Sequence, residues 1–193
     1  VAVIERDAVG GICLNWGCIP SKSLLRNAEV LNLVQHADAF GIAFDNLRFD
    51  FGKAIDRSRD VVRRLTEGVG FLLNKNKVDL IEGAASLRDR NTVEVSGFGQ
   101  ALSAENILIA TGARERELPS LPVDGQVVIT SRQALELREA PDRVAIVGGG
   151  ATGAEFAYIY RAYGAKVTII ELLPRLIPQE DEEISAILER AFE

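Results

Sequence analysis

The sequence of 193 residues contains no methionine, one histidine, one tryptophan and two cysteines. Because the chain lacks an initiator Met and opens at Val1 within an apolar run, we expect a fragment of a longer protein. Two cysteines are too few for a disulfide scaffold, and in a reducing compartment a close pair more often indicates redox chemistry or metal binding.

An excess of positive charge is also missing. Twenty-two basic and 28 acidic residues give a net charge of -6, so no overall positive field attracts nucleic acid or an anionic membrane. The longest apolar stretch, residues 144–154, is rich in glycine and far shorter than the roughly 20 residues of a membrane helix, and the first residues do not show a charged n-region followed by an apolar h-region. We therefore expect a cytosolic globular protein of one or two domains, with neither nucleic acid nor membrane as a partner.

A repeated local unit is present near the two ends of the chain. Residues 1–5 (VAVIE) and 167–171 (VTIIE) share an apolar strand pattern that ends in an acid. The second copy predicts a complete βαβ unit, with a strand at Arg143–Val147, a glycine turn at 148–153, a helix at 154–163 and a strand at Lys166–Ile170. If the first copy has the same layout, the fragment begins inside a nucleotide-binding domain with a buried strand at 1–5.

The glycine turn matches G-x-G-x-x-G through Gly148, Gly150 and Gly153, and Glu171 follows Gly148 by 23 residues. Glycines let a pyrophosphate approach a helix N-terminus, and an acid at the end of the next strand accepts hydrogen bonds from a ribose diol. The acid favours NAD over NADP, although Arg175 leaves that preference open. A glycine-rich turn beside a solvated glutamate is the alternative.

The first half of the chain predicts mixed helices and strands. A helix begins near Pro20 and runs to about Ala37, and a second amphipathic helix covers 58–76. Strands are expected at 78–84, 92–95 and 101–110, as an antiparallel meander that leads into a buried strand at 107–110. The proline-rich segment 118–122 marks the expected boundary between domains at 1–118 and 119–193.

The two cysteines form the second candidate site. A C-x4-C spacing alone allows a metal half-site, two unrelated core thiols or a redox pair. In a continuous helix, Cys13 and Cys18 would be roughly 8 to 9 Å apart at Cα, beyond the ~7 Å limit for a disulfide, so the helix must distort if they pair, and Gly17 allows this. Lys22 and the helix N-terminus would both lower a thiol pKa. His36 lies about 27 Å from Cys18 along an unbroken helix, and we interpret it as a solvated residue.

Three segments together resemble a known family. They are residues 10–22 (GGICLNWGCIPSK), 109–112 (IATG) and 148–155 (GGGATGAE), and they are similar to the flavin-dependent pyridine nucleotide–disulfide oxidoreductases, most of all to the branch that oxidises dihydrolipoamide. The resemblance implies an α/β fold with two Rossmann-like domains, for FAD and then NAD, each incomplete in this chain, and a small antiparallel β-meander.

The same resemblance implies roles for individual residues. Cys13 would exchange with the dithiol substrate, Cys18 would face the flavin, and Lys22 would lie near its reactive edge. The residues implied to contact FAD are Glu5, Gly10, Gly11, Cys13, Lys22, Ala85, Thr111, Gly112 and Ala113. Those implied to bind NAD are Gly148, Gly150, Gly153, Glu155 and Glu171, with Glu155 close to the nicotinamide. No metal site is expected.

The implied reaction passes electrons from dihydrolipoamide on a lipoyl-domain protein to the Cys13–Cys18 disulfide, then to FAD and NAD+. The family also has a first glycine-rich FAD turn and a C-terminal domain that forms a homodimer and supplies a His–Glu base to the partner subunit, and neither has a counterpart in these residues. Glutathione reductase-like or mercuric reductase-like chemistry, and a non-catalytic nucleotide-binding module, are the alternatives.

Overall fold

A computed structural model describes all residues from 1 to 193, with seven strands and six α-helices. The strands are β1 Ala2–Glu5, β2 Asp79–Glu82, β3 Ala85–Leu87, β4 Thr92–Val95, β5 Leu102–Ser103, β6 Arg143–Val147 and β7 Lys166–Ile170. The helices are α1 Gly11–Trp16, α2 Cys18–Gln35, α3 Phe51–Lys75, α4 Ser131–Ala134, α5 Ala151–Ala162 and α6 Glu182–Phe192, with a short 3₁₀ turn at Ala37–Phe40. None of these helices is both long and apolar enough to cross a membrane.

Two pairs of parallel strands carry the candidate nucleotide sites. β1 pairs with β2 from Ala2 opposite Asp79 to Glu5 opposite Glu82, and β6 pairs with β7 over five residues each. Parallel neighbours need a crossover, which α1 to α3 provide for the first pair and α5 for the second. The prediction of an α/β fold with two small, incomplete Rossmann-like parts is confirmed.

The antiparallel meander lies between these two parts, but its strands differ from those predicted. It consists of β3, β4 and β5 in that order. The segment that contains β2 was predicted to start the meander and instead pairs in parallel with β1. Gly83, with φ of 149°, turns the chain between β2 and β3, and β3, which begins the meander in place of the predicted strand, was not predicted.

Two predictions of buried strands are wrong. Residues 107–110 form no strand, and the side chains of Leu108 and Ile109 are 91% and 67% exposed. A strand needs a neighbouring backbone for its N–H and C=O groups, and β1 and β2 pair only with each other. The strand at 1–5 does form, but it is exposed to half-buried, because a sheet of two strands is covered by few neighbours.

The helix that contains the two cysteines is broken at Gly17, where the sequence predicted a distortion. α1 ends at Trp16 and α2 begins at Cys18, with Gly17 between them. α3 begins at Phe51, seven residues before the predicted start, and the Asp50 side chain accepts a hydrogen bond from Lys53 N at 3.1 Å as its N-cap. His36 is exposed at the C-terminal end of α2, as predicted.

The main hydrophobic core joins the two halves of the chain. α2 and α3 pack against α5 and the segment around α4, so that Leu24 and Ile159, both 0% exposed, belong to one cluster. The members of this cluster are Leu24, Phe51, Ala54, Ile55, Ala134, Leu135, Phe156, Ile159, Tyr160 and Ala165. The shared core fixes α2, which carries Cys18 and Lys22, against α5, which carries Glu155.

Candidate redox and dinucleotide site

Gly17 brings the two cysteines together. It has φ of -132° and ψ of -120°, and a Cβ on this residue would lie 2.9 Å from the Ile12 carbonyl oxygen and 3.0 Å from the Cys13 Cα. A real side chain does not fit there, so glycine permits the close approach of α1 to the start of α2. Both cysteines are exposed free thiols, and the Cys18 side chain lies close enough to Cys13 to be the largest influence on the pKa of the Cys13 thiol.

The neighbouring sulfur controls the proton affinity of the Cys13 thiol. The Cys18 side chain, together with desolvation, raises the pKa of Cys13 above its ordinary value, while the Cys18 backbone N–H and Lys22 oppose this rise. Lys22 therefore lowers the pKa of this thiol as its position predicts, but the neighbouring sulfur has the larger effect. At neutral pH the reduced Cys13 is a thiol, and an attacking thiolate requires a base.

Lys22 and Glu155 connect the cysteine helix to the glycine-turn helix. Lys22 Nζ lies 2.5 Å from Glu155 Oε1, and this hydrogen bond raises the pKa of Lys22. The lysine side chain is 60% exposed and the glutamate 25% exposed. Lys22 lies one helical turn after Cys18, and the ion pair fixes its ammonium group there. Lys22, implied to lie near the flavin, and Glu155, implied to lie near the nicotinamide, are therefore in direct contact.

The glycine turn has the form that a pyrophosphate requires. Gly148 has φ of 109°, and a Cβ on Gly153 would collide with the Gly148 carbonyl oxygen, so this glycine allows α5 to pack on the turn. Gly150 caps the N-terminus of α5, and a Cβ on it would meet nothing within 4 Å. The turn is thus closed toward the protein at Gly153 and open toward solvent at Gly150, where the N–H groups of the first helical turn favour an anion.

Glu171 stands at the end of β7 beside this turn. Its carboxylate accepts hydrogen bonds from Leu173 N at 2.9 Å and from Gly149 N at 2.7 Å, and these bonds lower its pKa. The carboxylate is therefore ionised at neutral pH and positioned at the glycine turn. Both features suit an acceptor for a ribose diol.

The residues implied for FAD occupy the corresponding edge of the first sheet. Glu5 ends β1, and its Oε1 accepts hydrogen bonds from Arg6 N at 2.8 Å and Asp7 N at 2.9 Å. Gly10 and Gly11 have φ of 101° and 68° and lead into α1. A Cβ on Gly10 would lie 2.9 Å from Leu14 Cδ1, whereas one on Gly11 would meet nothing within 4 Å.

The remaining implied FAD contacts lie close to the same edge. Ala85 opens β3, three residues after the end of β2. Thr111, Gly112 and Ala113 form an exposed coil, and a Cβ on Gly112 would lie 3.1 Å from Ile12 Cδ1 in α1. The structure thus brings the 111–113 segment to the helix that carries Cys13, although the strand expected before it is absent.

Residues 1–193, the whole chain, match the family described as pyridine nucleotide-disulphide oxidoreductase. The chain belongs to this family. It is 46% identical over 196 residues to the dihydrolipoyl dehydrogenase of Chlorobaculum parvum, covering 100% of this chain and 42% of the relative. The dihydrolipoyl dehydrogenase of Bacillus subtilis is 40% identical over 197 residues, covering 100% and 43%. The chain therefore spans about two fifths of the length of these curated relatives.

Solved structures of disulphide oxidoreductase type share its fold. The crystal structure of LpdA from Mycobacterium tuberculosis matches with a TM-score of 0.89 at 28% identity, covering 100% of this chain and 43% of that one. The HOCl-induced flavoprotein disulfide reductase RclA of Escherichia coli, solved as a Cu(II) complex, matches with a TM-score of 0.80 at 32% identity, covering 100% and 41%.

Membership of the pyridine nucleotide-disulphide oxidoreductase family implies FAD and a pyridine nucleotide as cofactors, and the residues present fit both groups. For the nucleotide, the open position at Gly150 would admit a pyrophosphate, and the carboxylate of Glu171 would accept hydrogen bonds from a ribose. For FAD, the open backbone at Gly11 and the carboxylate of Glu5 would do the same on the first sheet.

Several residues of this candidate site were not predicted from the sequence. Asn15 is 6% exposed and donates hydrogen bonds around the turn before Cys13. Arg132 Cζ lies 3.8 Å above the Trp16 ring and its Nη1 lies 3.2 Å from Asp7 Oδ2, which joins α4 to α1. Asn15 and Trp16 lie between the two cysteines in the sequence. That position was the signal from which their part in the site could have been predicted.

Proposed function

We propose that the protein is the cysteine- and nucleotide-binding part of a flavin-dependent dihydrolipoyl dehydrogenase. It would oxidise dihydrolipoamide on a lipoyl-domain protein and pass two electrons to NAD+. The observation that carries this proposal is the adjacency of the Cys13 and Cys18 thiols beside the Lys22–Glu155 ion pair. A redox pair, a cation for the flavin and an acid for the nicotinamide are thereby joined in one place.

In the proposed reaction the substrate dithiol exchanges with the Cys13–Cys18 disulfide. One substrate sulfur attacks Cys13, Cys18 leaves as a thiolate, and the second substrate sulfur then displaces Cys13. The substrate loses two electrons and two protons and leaves as a disulfide, and the protein holds a dithiol. Bound FAD supplies the two-electron transfer from this dithiol to NAD+.

Individual residues have distinct parts in this proposal. Cys13, which is exposed, is the sulfur that the substrate reaches, and Cys18, at the start of α2, is the sulfur that faces the flavin. Lys22 keeps a positive charge beside the pair, because its hydrogen bond to Glu155 raises the pKa of the ammonium group. Gly148, Gly150, Gly153 and Glu171 bind the pyrophosphate and ribose of NAD, and Glu5, Gly10, Gly11, Ala85, Thr111, Gly112 and Ala113 contact FAD.

The proposed exchange also needs a base. The attacking sulfurs belong to the substrate dithiol, which loses two protons as it becomes a disulfide, so a base must accept protons during exchange. His36 is the single histidine of the chain and lies at the far end of α2. We propose that the base comes from the partner subunit of a homodimer.

Two further proposals concern the protein as a whole. We propose that it works in the cytosol and that its two domains meet at residue 118 of the chain.

The test is turnover in the flavin-loaded full-length protein with Cys13→Ser and Cys18→Ser, because we expect the 193 residues alone to be inactive. Each variant should lose dihydrolipoamide-dependent reduction of NAD+ entirely, because one sulfur cannot form the disulfide. Reduction of an artificial acceptor by NADH should survive in both, since that route needs no cysteine. Substantial dihydrolipoamide turnover in either variant would contradict the mechanism.

A further inference from the structure

Asn15 is the buried polar residue between the two cysteines. Its side-chain Nδ2 donates hydrogen bonds to the carbonyl oxygens of Val9 at 3.0 Å and Gly11 at 2.9 Å. Both hydrogens of the amide nitrogen are thereby used. Val9 precedes the Gly10–Gly11 turn, and Gly11 is the second residue of that turn. The buried Asn15 side chain therefore links the two ends of the turn.

The other polar atoms of Asn15 fasten α1 to α3. Its Oδ1 lies 3.3 Å from Thr66 Oγ1, whose single hydrogen is shared with the Val62 carbonyl oxygen at 2.9 Å. Its backbone carbonyl accepts a hydrogen bond from Arg59 Nη1 at 3.0 Å. Asn15 thus contacts the glycine turn on one side and the long helix on the other.

These contacts matter for Cys13 because α1 cannot hold it alone. α1 has six residues and no side-chain N-cap, and a free helix of that length is not stable in water. Cys18, by contrast, opens an 18-residue helix that packs into the core through Leu24. The position of one sulfur is therefore set by the core and that of the other by the Asn15 contacts.

We propose that Asn15 is a positioning residue for the redox pair: its hydrogen bonds hold the Cys13 sulfur at the Cys18 sulfur and so set the equilibrium between dithiol and disulfide. This inference rests on the proposed function, in which the pair cycles between those states. Oxidation joins the two sulfurs and releases two protons and two electrons. A looser α1 lowers the effective concentration of one thiol at the other and shifts this equilibrium toward the dithiol.

The experiment measures this equilibrium in the chain of 193 residues against oxidised and reduced dithiothreitol. Oxidised dithiothreitol takes up the two electrons and two protons and opens to a dithiol as the protein disulfide forms. Alkylation and mass measurement then count free thiols, and the chain contains no other cysteine. The variants are Asn15→Leu, Thr66→Val and the matched control Asn32→Leu, an exposed asparagine on α2.

Asn15→Leu should lower the equilibrium constant for disulfide formation about tenfold, which is about 30 mV for a two-electron couple. Thr66→Val should lower it about two- to threefold, because it removes one shared hydrogen bond. Asn32→Leu should leave it unchanged. Circular dichroism below the melting transition verifies folding, and Thr66→Val carries the test if Asn15→Leu does not fold.

A folded Asn15→Leu variant with the wild-type equilibrium constant would overturn the inference, since a purely structural residue would change the melting temperature alone. A wild-type chain that forms no Cys13–Cys18 disulfide would overturn the proposed function as well. The two failures are distinguishable because the second appears before any substitution is made.

Discussion

At the scale of single residues, Gly17 decides whether the cysteines meet. Because a Cβ there would lie 2.9 Å from the Ile12 carbonyl oxygen and 3.0 Å from the Cys13 Cα, Gly17→Ala must push α1 away from α2. We expect this variant to lose about 1–3 kcal/mol of unfolding free energy and to form the Cys13–Cys18 disulfide less readily. Urea unfolding and thiol counting measure the two effects.

Gly68→Ala is the control for the same chemical change. Gly68 lies inside α3, and a Cβ on it would meet nothing within 4 Å. Alanine is the better helix former by about 1 kcal/mol, so this variant should be stabilised and its disulfide equilibrium unaffected. If Gly17→Ala were as stable and as readily oxidised as the wild type, the argument from close approach would be wrong.

Which residues could be predicted depends on whether their partners are local. The break at Gly17 followed from helix geometry on the condition that the two cysteines pair, because both cysteines and the glycine lie within six residues. The Lys22–Glu155 contact joins residues 133 positions apart, and no sequence pattern indicates it. The raised pKa of Cys13 depends on the position of the Cys18 sulfur, which spacing does not determine.

At the scale of elements, the β6–turn–α5 unit has one glycine that packing requires and another that nucleotide binding would require. Gly153 faces the Gly148 carbonyl oxygen, while Gly150 faces open space. Gly153→Ala should therefore destabilise the chain by about 1–3 kcal/mol. Gly150→Ala should cost less, about 0.5–1 kcal/mol for the loss of a glycine N-cap, but place a methyl group where the pyrophosphate approaches.

The binding consequence is measured by titration of NADH. We expect Gly150→Ala to weaken NADH affinity at least about tenfold, a loss of about 1.4 kcal/mol, while the chain remains folded at the temperature of the titration. Its backbone φ of -73° is accessible to alanine, so strain does not confuse the result. Wild-type NADH affinity in Gly150→Ala would show that the pyrophosphate does not approach this position.

The elements differ in how well their sequence indicated them. The βαβ unit at 143–170 was predicted nearly residue for residue, because its strands, glycines and helix are contiguous. α3 was predicted too short, since its first turn buries Phe51, Ala54 and Ile55 against distant helices and lies before the periodic stripe that was used. The strand expected at 107–110 is apolar enough to pair but has no neighbouring strand in this chain.

At the scale of the whole molecule, the predicted boundary at 118 divides residues that share one core. Leu24, Phe51 and Ile55 from the first part pack in the same cluster as Phe156 and Ile159 from the second. Two further contacts cross the boundary, the Lys22–Glu155 ion pair and the stacking of Arg132 on Trp16. The hydrophobic core therefore continues across the predicted domain boundary, and we infer that the two parts stabilise each other.

This coupling predicts that a core substitution in the second part unfolds the first. Ile159 is 0% exposed, so Ile159→Ala should cost about 2–5 kcal/mol. Trp16, the single tryptophan, reports on α1 in the first part, and its fluorescence transition in urea should move to lower concentration by the same free energy. Ile187→Ala on α6, where the side chain is 56% exposed, should barely move it. An unchanged Trp16 transition in Ile159→Ala would mean that the two parts unfold independently and that the shared cluster contributes little to the stability of the cysteine site.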